Sequence, residues 1–169
     1  MERLKKALKQ LESDSEFKEW KKENKECYFS YAFNMVKNSN ELDDWQLGFY
    51  NKKNDKVTTF IIKKDDVEMK PEEDIFKKEE TEIKEIDLKE AKLNIDDVLK
   101  KASGLQKEKY PKELPVKVIL ILQNLPGLGN LWNITYLTQS FNTLNIKISS
   151  SNGKILKHNL AALVDFKAK

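Results

Sequence analysis

One histidine, one cysteine, three adjacent aspartate pairs and one Gly-x-Gly are the residues of this 169-residue chain whose types and spacing could do chemistry. Any histidine-dependent acid–base or nucleophilic scheme would have to pass through His158, in the run Lys157-His158-Asn159. No Ser or Cys carries a recognisable nucleophile motif, so His158 reads as an edge or surface histidine. Cys27 lies between Glu26 and Tyr28. The neighbouring carboxylate disfavours a thiolate, and the residue reads as a small apolar side chain. Asp43-Asp44, Asp65-Asp66 and Asp96-Asp97 could offer paired carboxylates. Turns and a helix start account for all three, Asp96 and Asp97 suiting the positive end of a helix dipole. Gly127 and Gly129 lack the third glycine of a dinucleotide fingerprint and join strand to strand. One Cys and one His cannot assemble a structural zinc set. The expectation is a chain that is not an enzyme, with no catalytic residue, no metal site and no cofactor.

Composition points the same way. Apolar residues make up 39% of the chain, enough for a real core, and 31 basic against 28 acidic residues leave a net charge of only +3. That balance supplies no strong field for nucleic acid or an anionic membrane. Arg3 is the only arginine, so planar bidentate recognition of phosphate is disfavoured. The N-terminal MERLKKALKQLESDSEF has no continuous apolar stretch of the signal-peptide kind, and the run Val118–Leu122 is far too short to span a bilayer. The expected compartment is cytoplasmic as the sequence stands, and extracytoplasmic if a leader has been removed.

The elements that must position these residues follow from periodicity. Leu4, Leu8 and Leu11 recur at helical spacing, and Ser13-Asp14-Ser15-Glu16 forms an S-x-x-E capping box that restarts a second helix carrying Phe17 and Trp20. Phe29, Tyr31, Phe33 and Met35 alternate as a strand, punctuated by Asn38-Ser39-Asn40. Trp45, Leu47 and Phe49 alternate as a second strand, Val57 to Ile62 make a third, and Asp65-Asp66 turns into a short fourth at Val67 to Met69. Residues 70–90 are charged; a short helix is expected near Ile75, next to Phe76, then an extended connection pinned by sparse apolar residues. Asn94 caps a helix with the stripe Ile95, Val98, Leu99, Ala102 and Leu105. Strands follow at Leu114 to Gln123 and across WNITYLTQSFNTLNIKIS, with an Asn152-Gly153 turn of type I′ chemistry, a return strand at Ile155 and Leu156, and an apolar end piece at Leu160 to Phe166.

The chain also echoes itself. Trp45 and Trp132 open segments with the same apolar rhythm, at an offset of 132 − 45 = 87 residues. Applied elsewhere, the same offset lays Phe29, Tyr31, Phe33 and Met35 on Val116, Val118, Leu120 and Leu122, and Val57 and Ile61 on Leu144 and Ile148. Each half reads helix, then strands, and a helix laid across one face of an antiparallel sheet is the α+β way of burying that face. Low identity between the halves leaves shared strand periodicity as the alternative to duplication.

A helix followed by strands, the strand-opening Trp of WNITYL, a β-hairpin and the closing turn SSNGKILKH resemble the PepSY domain over about residues 92–158. The first half matches by pattern, with Asp65-Asp66 standing where the Asn-Gly turn would be. The resemblance implies two cystatin-like, PepSY-like helix-on-antiparallel-sheet units in tandem: residues 1–78, a charged connection 79–91, and residues 92–169. It further implies a binding or inhibitory module, since such domains occur in propeptides of secreted metallopeptidases. It carries over no functional residue.

Apolar residues on both sides of the expected sheets then suggest a contact surface. Tyr50, Phe60 and Ile62, with Ile119 and Ile121, are expected on the face opposite the Trp residues, where an antiparallel sheet usually meets water. The other half or a protein or peptide partner would cover them. The functional expectation is a non-enzymatic protein- or peptide-binding module, with no nucleic acid partner and no membrane insertion. A peptidase inhibitor and a small-ligand cavity between helix and sheet are the alternatives.

Overall fold

Amphipathic helices open the chain, α1 at Glu2–Ser13 and α2 at Ser15–Glu23, in a computed structural model that describes residues 1–36, 41–75 and 82–163. Leu4, Ala7 and Leu11 form the buried stripe of α1. The expected break between the helices is present, but the cap differs. Ser13 is still helical, its hydroxyl donating to the Lys9 carbonyl at 2.8 Å. Extended Asp14 caps α2 instead, its Oδ1 accepting from the Phe17 N–H at 2.8 Å.

Five strands follow: β1 (Tyr28–Val36), β2 (Trp45–Asn51), β3 (Lys56–Ile62), β4 (Val67–Met69) and β5 (Glu73–Asp74). Then come helix α3 (Ile95–Lys109) and strands β6 (Pro115–Leu125), β7 (Gly129–Thr138), β8 (Asn142–Ser149) and β9 (Ile155–Ala162). Ile75 follows β5 directly without regular structure, and the rest of the short helix expected near it falls outside the described residues. Phe76, the punctuating Asn38-Ser39-Asn40 and residues 164–166 of the expected end piece lie outside the described residues. Leu160 to Ala162 belong to β9, so the return strand is longer than Ile155 and Leu156 alone.

Among the described residues the three helices and nine strands make an α+β fold with one antiparallel sheet, ordered β4-β3-β2-β1-β6-β7-β8-β9, with β5 also on β3. Strands from residues 1–78 and from 92–169 therefore share a single sheet. They meet at a central seam where β1 pairs antiparallel with β6, Ala32 opposite Leu122 and Asn34 opposite Leu120. The halves join edge to edge rather than face to face.

All three helices contribute to one core on one face of that sheet. Val98 and Ala102 of α3 share it with Trp132, Ile134, Leu144, Ile146 and Ile148, all fully buried. On the other side of the seam the core is aromatic. Phe17 meets Phe60 edge-on at 5.1 Å, Trp20 meets Phe60 at 5.1 Å and Phe49 meets Phe60 at 5.8 Å. Trp45 and Trp132 approach each other at 6.5 Å between ring centroids. Among the described residues, two buried polar atoms in this region lack a hydrogen-bond partner, Trp132 Nε1 and Asn34 Oδ1.

With β2 and β7 laid on each other at the 87-residue offset, the register slips by one residue on either side of them. Trp45 faces Ile62, whereas Trp132 faces Ile148, an offset of 148 − 62 = 86 in the third strands. The hairpins agree: Asp55 and Phe141, each at positive φ just before the returning strand, are also 141 − 55 = 86 apart. In β1 a bulge between Phe29 and Tyr31 shifts the phase the other way. Ala32 faces Leu47 and Leu120 faces Ile134, an offset of 120 − 32 = 88. Side chains alternate with period 2, so each single slip exchanges the two faces. Phe60 and Ile62 consequently point to the helix face with Trp45, while Tyr31, Phe33 and Met35 lie on the helix-free face.

Two local expectations change for physical reasons. Asn94 precedes α3 but does not cap it with its side chain. Its Oδ1 accepts from the Met1 ammonium at 2.7 Å, tying the chain start to α3. At Asn152-Gly153 only Gly153 adopts positive φ, +74°, so the turn is not type I′, which needs both. The Asn152 side chain accepts from the Lys154 N–H at 2.9 Å instead. The connection before α3 is pinned as expected, with Ile86 buried and its N–H donating to the Phe29 carbonyl at 2.9 Å.

Candidate functional site

The fold leaves two kinds of surface open to a partner: the helix-free face of the sheet and its two outer strands. The face is partly closed by its own side chains. Tyr31 lies across Gly48 so tightly that a Cβ there would come within 2.0 Å of the ring, and its hydroxyl bonds Thr59 Oγ1 at 2.7 Å. Burial raises the Tyr31 pKa. Tyr28 packs edge-on against Tyr50 at 5.5 Å and donates to the Ile83 carbonyl at 2.9 Å. A polypeptide that covers its own apolar sheet face this way needs no second sheet to do so.

These contacts sort the five residues expected to face a partner. Tyr50 is on the helix-free face but buried beside Tyr28, with its hydroxyl 2.5 Å from Asp55 Oδ1. Phe60 and Ile62 belong to the helix-side core and reach no partner. The parity of β3 decides this, and the apolar run from Val57 to Ile62 offers either phase. Ile119 and Ile121 do lie on the helix-free face, half-buried, opposite Met35 and Phe33 on one side and Thr135 and Asn133 on the other.

Beyond the seam the same face turns polar. Asn145 Nδ2 donates to Asn133 Oδ1 at 2.6 Å and to Thr135 Oγ1 at 2.9 Å, and Lys147 Nζ donates to Asn145 Oδ1 at 2.6 Å. Lys157 of β9 stands directly opposite Lys147. Burial, with the charge of Lys157 second, lowers the Lys147 pKa. Sequence reasoning missed this cluster, although the alternation Asn145, Lys147 with Ile146, Ile148 was available to place it.

The outer strands differ from each other. On one side β4 has three residues and is wrapped in charge: Glu68 is 2.6 Å from the Lys63 ammonium and also bonds the Lys70 ammonium. On the other side β9 runs for eight residues, pairs with β8 along one edge, and has no described strand on its other edge. Beside it lies a groove of about 460 Å³ formed with the end of α3, lined by Leu105, Glu108, Lys109, Ile155, Leu156, Lys157 and His158. His158 Nδ1 and the Tyr110 hydroxyl share a hydrogen bond of 2.6 Å in this corner. The histidine is thus held by a tyrosine at the edge of the sheet, with neither a carboxylate nor a nucleophile bonded to it among the described residues.

The remaining chemistry-bearing residues sit in local contacts of the fold. Cys27 is buried, and burial, then the Glu26 charge, raises its thiol pKa. Asn34 Nδ2 donates to the Asp43 carbonyl at 2.9 Å, the Asp66 carbonyl accepts from the Lys63 N–H at 2.9 Å, and Asp96 pairs with Arg3 at 3.5 Å. Gly127 and Gly129 both adopt positive φ in the β6–β7 hairpin. Among the described residues no three His, Cys, Asp or Glu side chains converge as a metal site, and no helix is long and apolar enough to cross a membrane.

No protein-family model matches the chain, and no curated protein matches it in sequence. A solved structure from Clostridium difficile 630, described as a putative lipoprotein, matches in fold with a TM-score of 0.53 at 15% identity. The match covers 89% of this chain and 97% of the other.

Proposed function

We propose that the protein is a non-enzymatic peptide- or protein-binding module that receives an extended segment on the free edge of β9. The observation that carries this reading is the contrast between an eight-residue strand whose outer edge has no partner among the described residues and is bordered by a groove, and an opposite edge that is short and charged. Backbone groups along an unpaired edge supply affinity to any added strand, and a groove beside it selects alternate side chains. Two PepSY-like units in tandem, fused at the β1–β6 seam, are the architecture that leaves β9 at the end of the sheet. The mirrored strand order about the seam supports that origin. An extracytoplasmic setting fits the description of the structural neighbour as a lipoprotein.

Hydrogen exchange tests the reading. Titrating the chain with extended peptides of alternating apolar and polar residues is expected to slow exchange of outward-facing β9 amides and leave β4 unchanged. Protection confined to β4, or to the helix-free face around Ile119 and Ile121, would remove the β9 assignment. Peptidase inhibition, which the PepSY resemblance implies, is a second use of the same surface; unchanged rates across a panel of metallo- and cysteine peptidases would remove it.

A further inference from the structure

The polar cluster on the helix-free side of β7, β8 and β9 is internally unbalanced. Lys147 and Lys157 are cross-strand partners, and like charges placed directly opposite each other repel. Among the described residues Lys147 has no ion pair, and its hydrogen bond goes to an amide oxygen. That single bond orients the whole cluster. With Asn145 Oδ1 accepting from lysine, Asn145 must turn its Nδ2 to Asn133 Oδ1 and Thr135 Oγ1. Asn133 then keeps both amide hydrogens, Thr135 its hydroxyl hydrogen and Lys147 two ammonium hydrogens, with the Lys157 ammonium alongside. The unspent hydrogens belong to two cations, an amide and a hydroxyl, all donors; Asn133, Thr135 and Lys147 are half-buried, where a charge-assisted bond is stronger than in open water, and Lys157 is exposed beside them.

Like charges facing each other across β8 and β9 lower the stability of the sheet, and a bound anion relieves that repulsion. The row Asn133, Lys147, Lys157 runs straight across β7, β8 and β9. Its next position is the residue that a strand added to β9 would place opposite Lys157, about 5 Å away between Cβ atoms. We infer that Lys147 and Lys157 of this cluster form a carboxylate receptor that selects added strands bearing Asp or Glu at that position. The inference rests on the strand-addition reading and names its ligand class: an extended acidic peptide.

The test uses two short extended peptides that differ only in a central Glu or Gln, titrated by fluorescence anisotropy against the full chain. The Glu peptide is expected to bind about tenfold more tightly at low salt, a difference of roughly 1.4 kcal/mol. That preference should shrink as salt rises and vanish in the double variant Lys147→Gln, Lys157→Gln. Equal binding of the two peptides overturns the receptor and leaves strand addition standing. A Glu preference that survives in the double variant overturns the assignment to these lysines. Should neither peptide bind, strand addition fails, and glutarate titration followed at the Lys147 side-chain resonances decides the receptor by itself. A shift that Lys157→Gln weakens supports it, and no shift overturns it.

Discussion

The two ends of the sheet solve the same problem in opposite ways. At the β4 end the last strand is three residues long, and Glu68 draws the Lys63 and Lys70 ammonium groups over it. Behind it Phe17, Trp20, Phe49 and Phe60 interlock. At the β9 end the strand is eight residues long, its charge is confined to Lys157, and the helix beside it leaves a groove. An edge that is short and charged resists pairing, whereas a long, lightly charged one accepts it. The difference teaches that, on the proposed reading, exposed apolar area is a poor guide to where a strand would dock. The unspent backbone of one strand is a better one.

Four measurements bear on that contrast, from large effects to small. Phe60→Ala removes the hub of the aromatic cluster and is expected to cost about 3 to 5 kcal/mol in denaturant unfolding. A cost below about 1 kcal/mol would show that the closed end is not consolidated by its rings. Leu105→Ala, at the open end, removes a less enclosed side chain. It should cost about 2 kcal/mol and widen the groove, so a change in peptide selectivity must accompany the loss of stability.

Phe141 offers a gain instead. It is 77% exposed and sits at φ +56° in the β7–β8 hairpin, which Glu113 braces through Thr138 and Asn142. Replacing it by Gly should raise stability by about 1 kcal/mol, because the left-handed backbone costs an L-residue roughly that much. No gain in melting temperature would mean the ring is anchored by contacts beyond its turn.

The smallest effect is a pH effect at the β4 end. Paired lysines hold Glu68 at about 2, below its ordinary 4.5, so folded and unfolded chains bind its proton differently between those values. The stabilisation is complete above about pH 4.5 and fades as pH falls towards 2. Lys63→Gln and Lys70→Gln together should move the Glu68 carboxyl titration, followed by NMR, back towards 4.5. An unmoved titration would remove the charged clasp from the comparison.

Much of the architecture was legible in the sequence because periodicity reports burial directly. The helical stripes of Leu4, Leu11, Ile95 and Val98 and the alternating strands around both Trp residues fall where the spacing puts them. What periodicity could not report was parity. The bulge at Phe29/Tyr31 and the hairpin between Asn51 and Lys56 each change the phase by one residue, which no local composition announces. In β3 both phases are apolar, so Phe60 and Ile62 could be assigned to either face until their partners Leu47 and Trp45 were known. The candidate site was less legible still. That β9 ends the sheet follows from which strands form the seam, a pairing across some ninety residues that leaves no mark on the strand's own sequence.

That seam has a consequence for how copies of the chain treat one another. β1 and β6 are joined through hydrogen bonds that an identical β6 from a second molecule could supply equally well, and the connection between them passes through the long segment ahead of α3. Non-local pairs of this kind close slowly, which gives β1 and β6 time to meet a strand from another chain. At high concentration, refolding chains are expected to exchange halves and emerge as interlocked dimers. Dilution during refolding would return monomers.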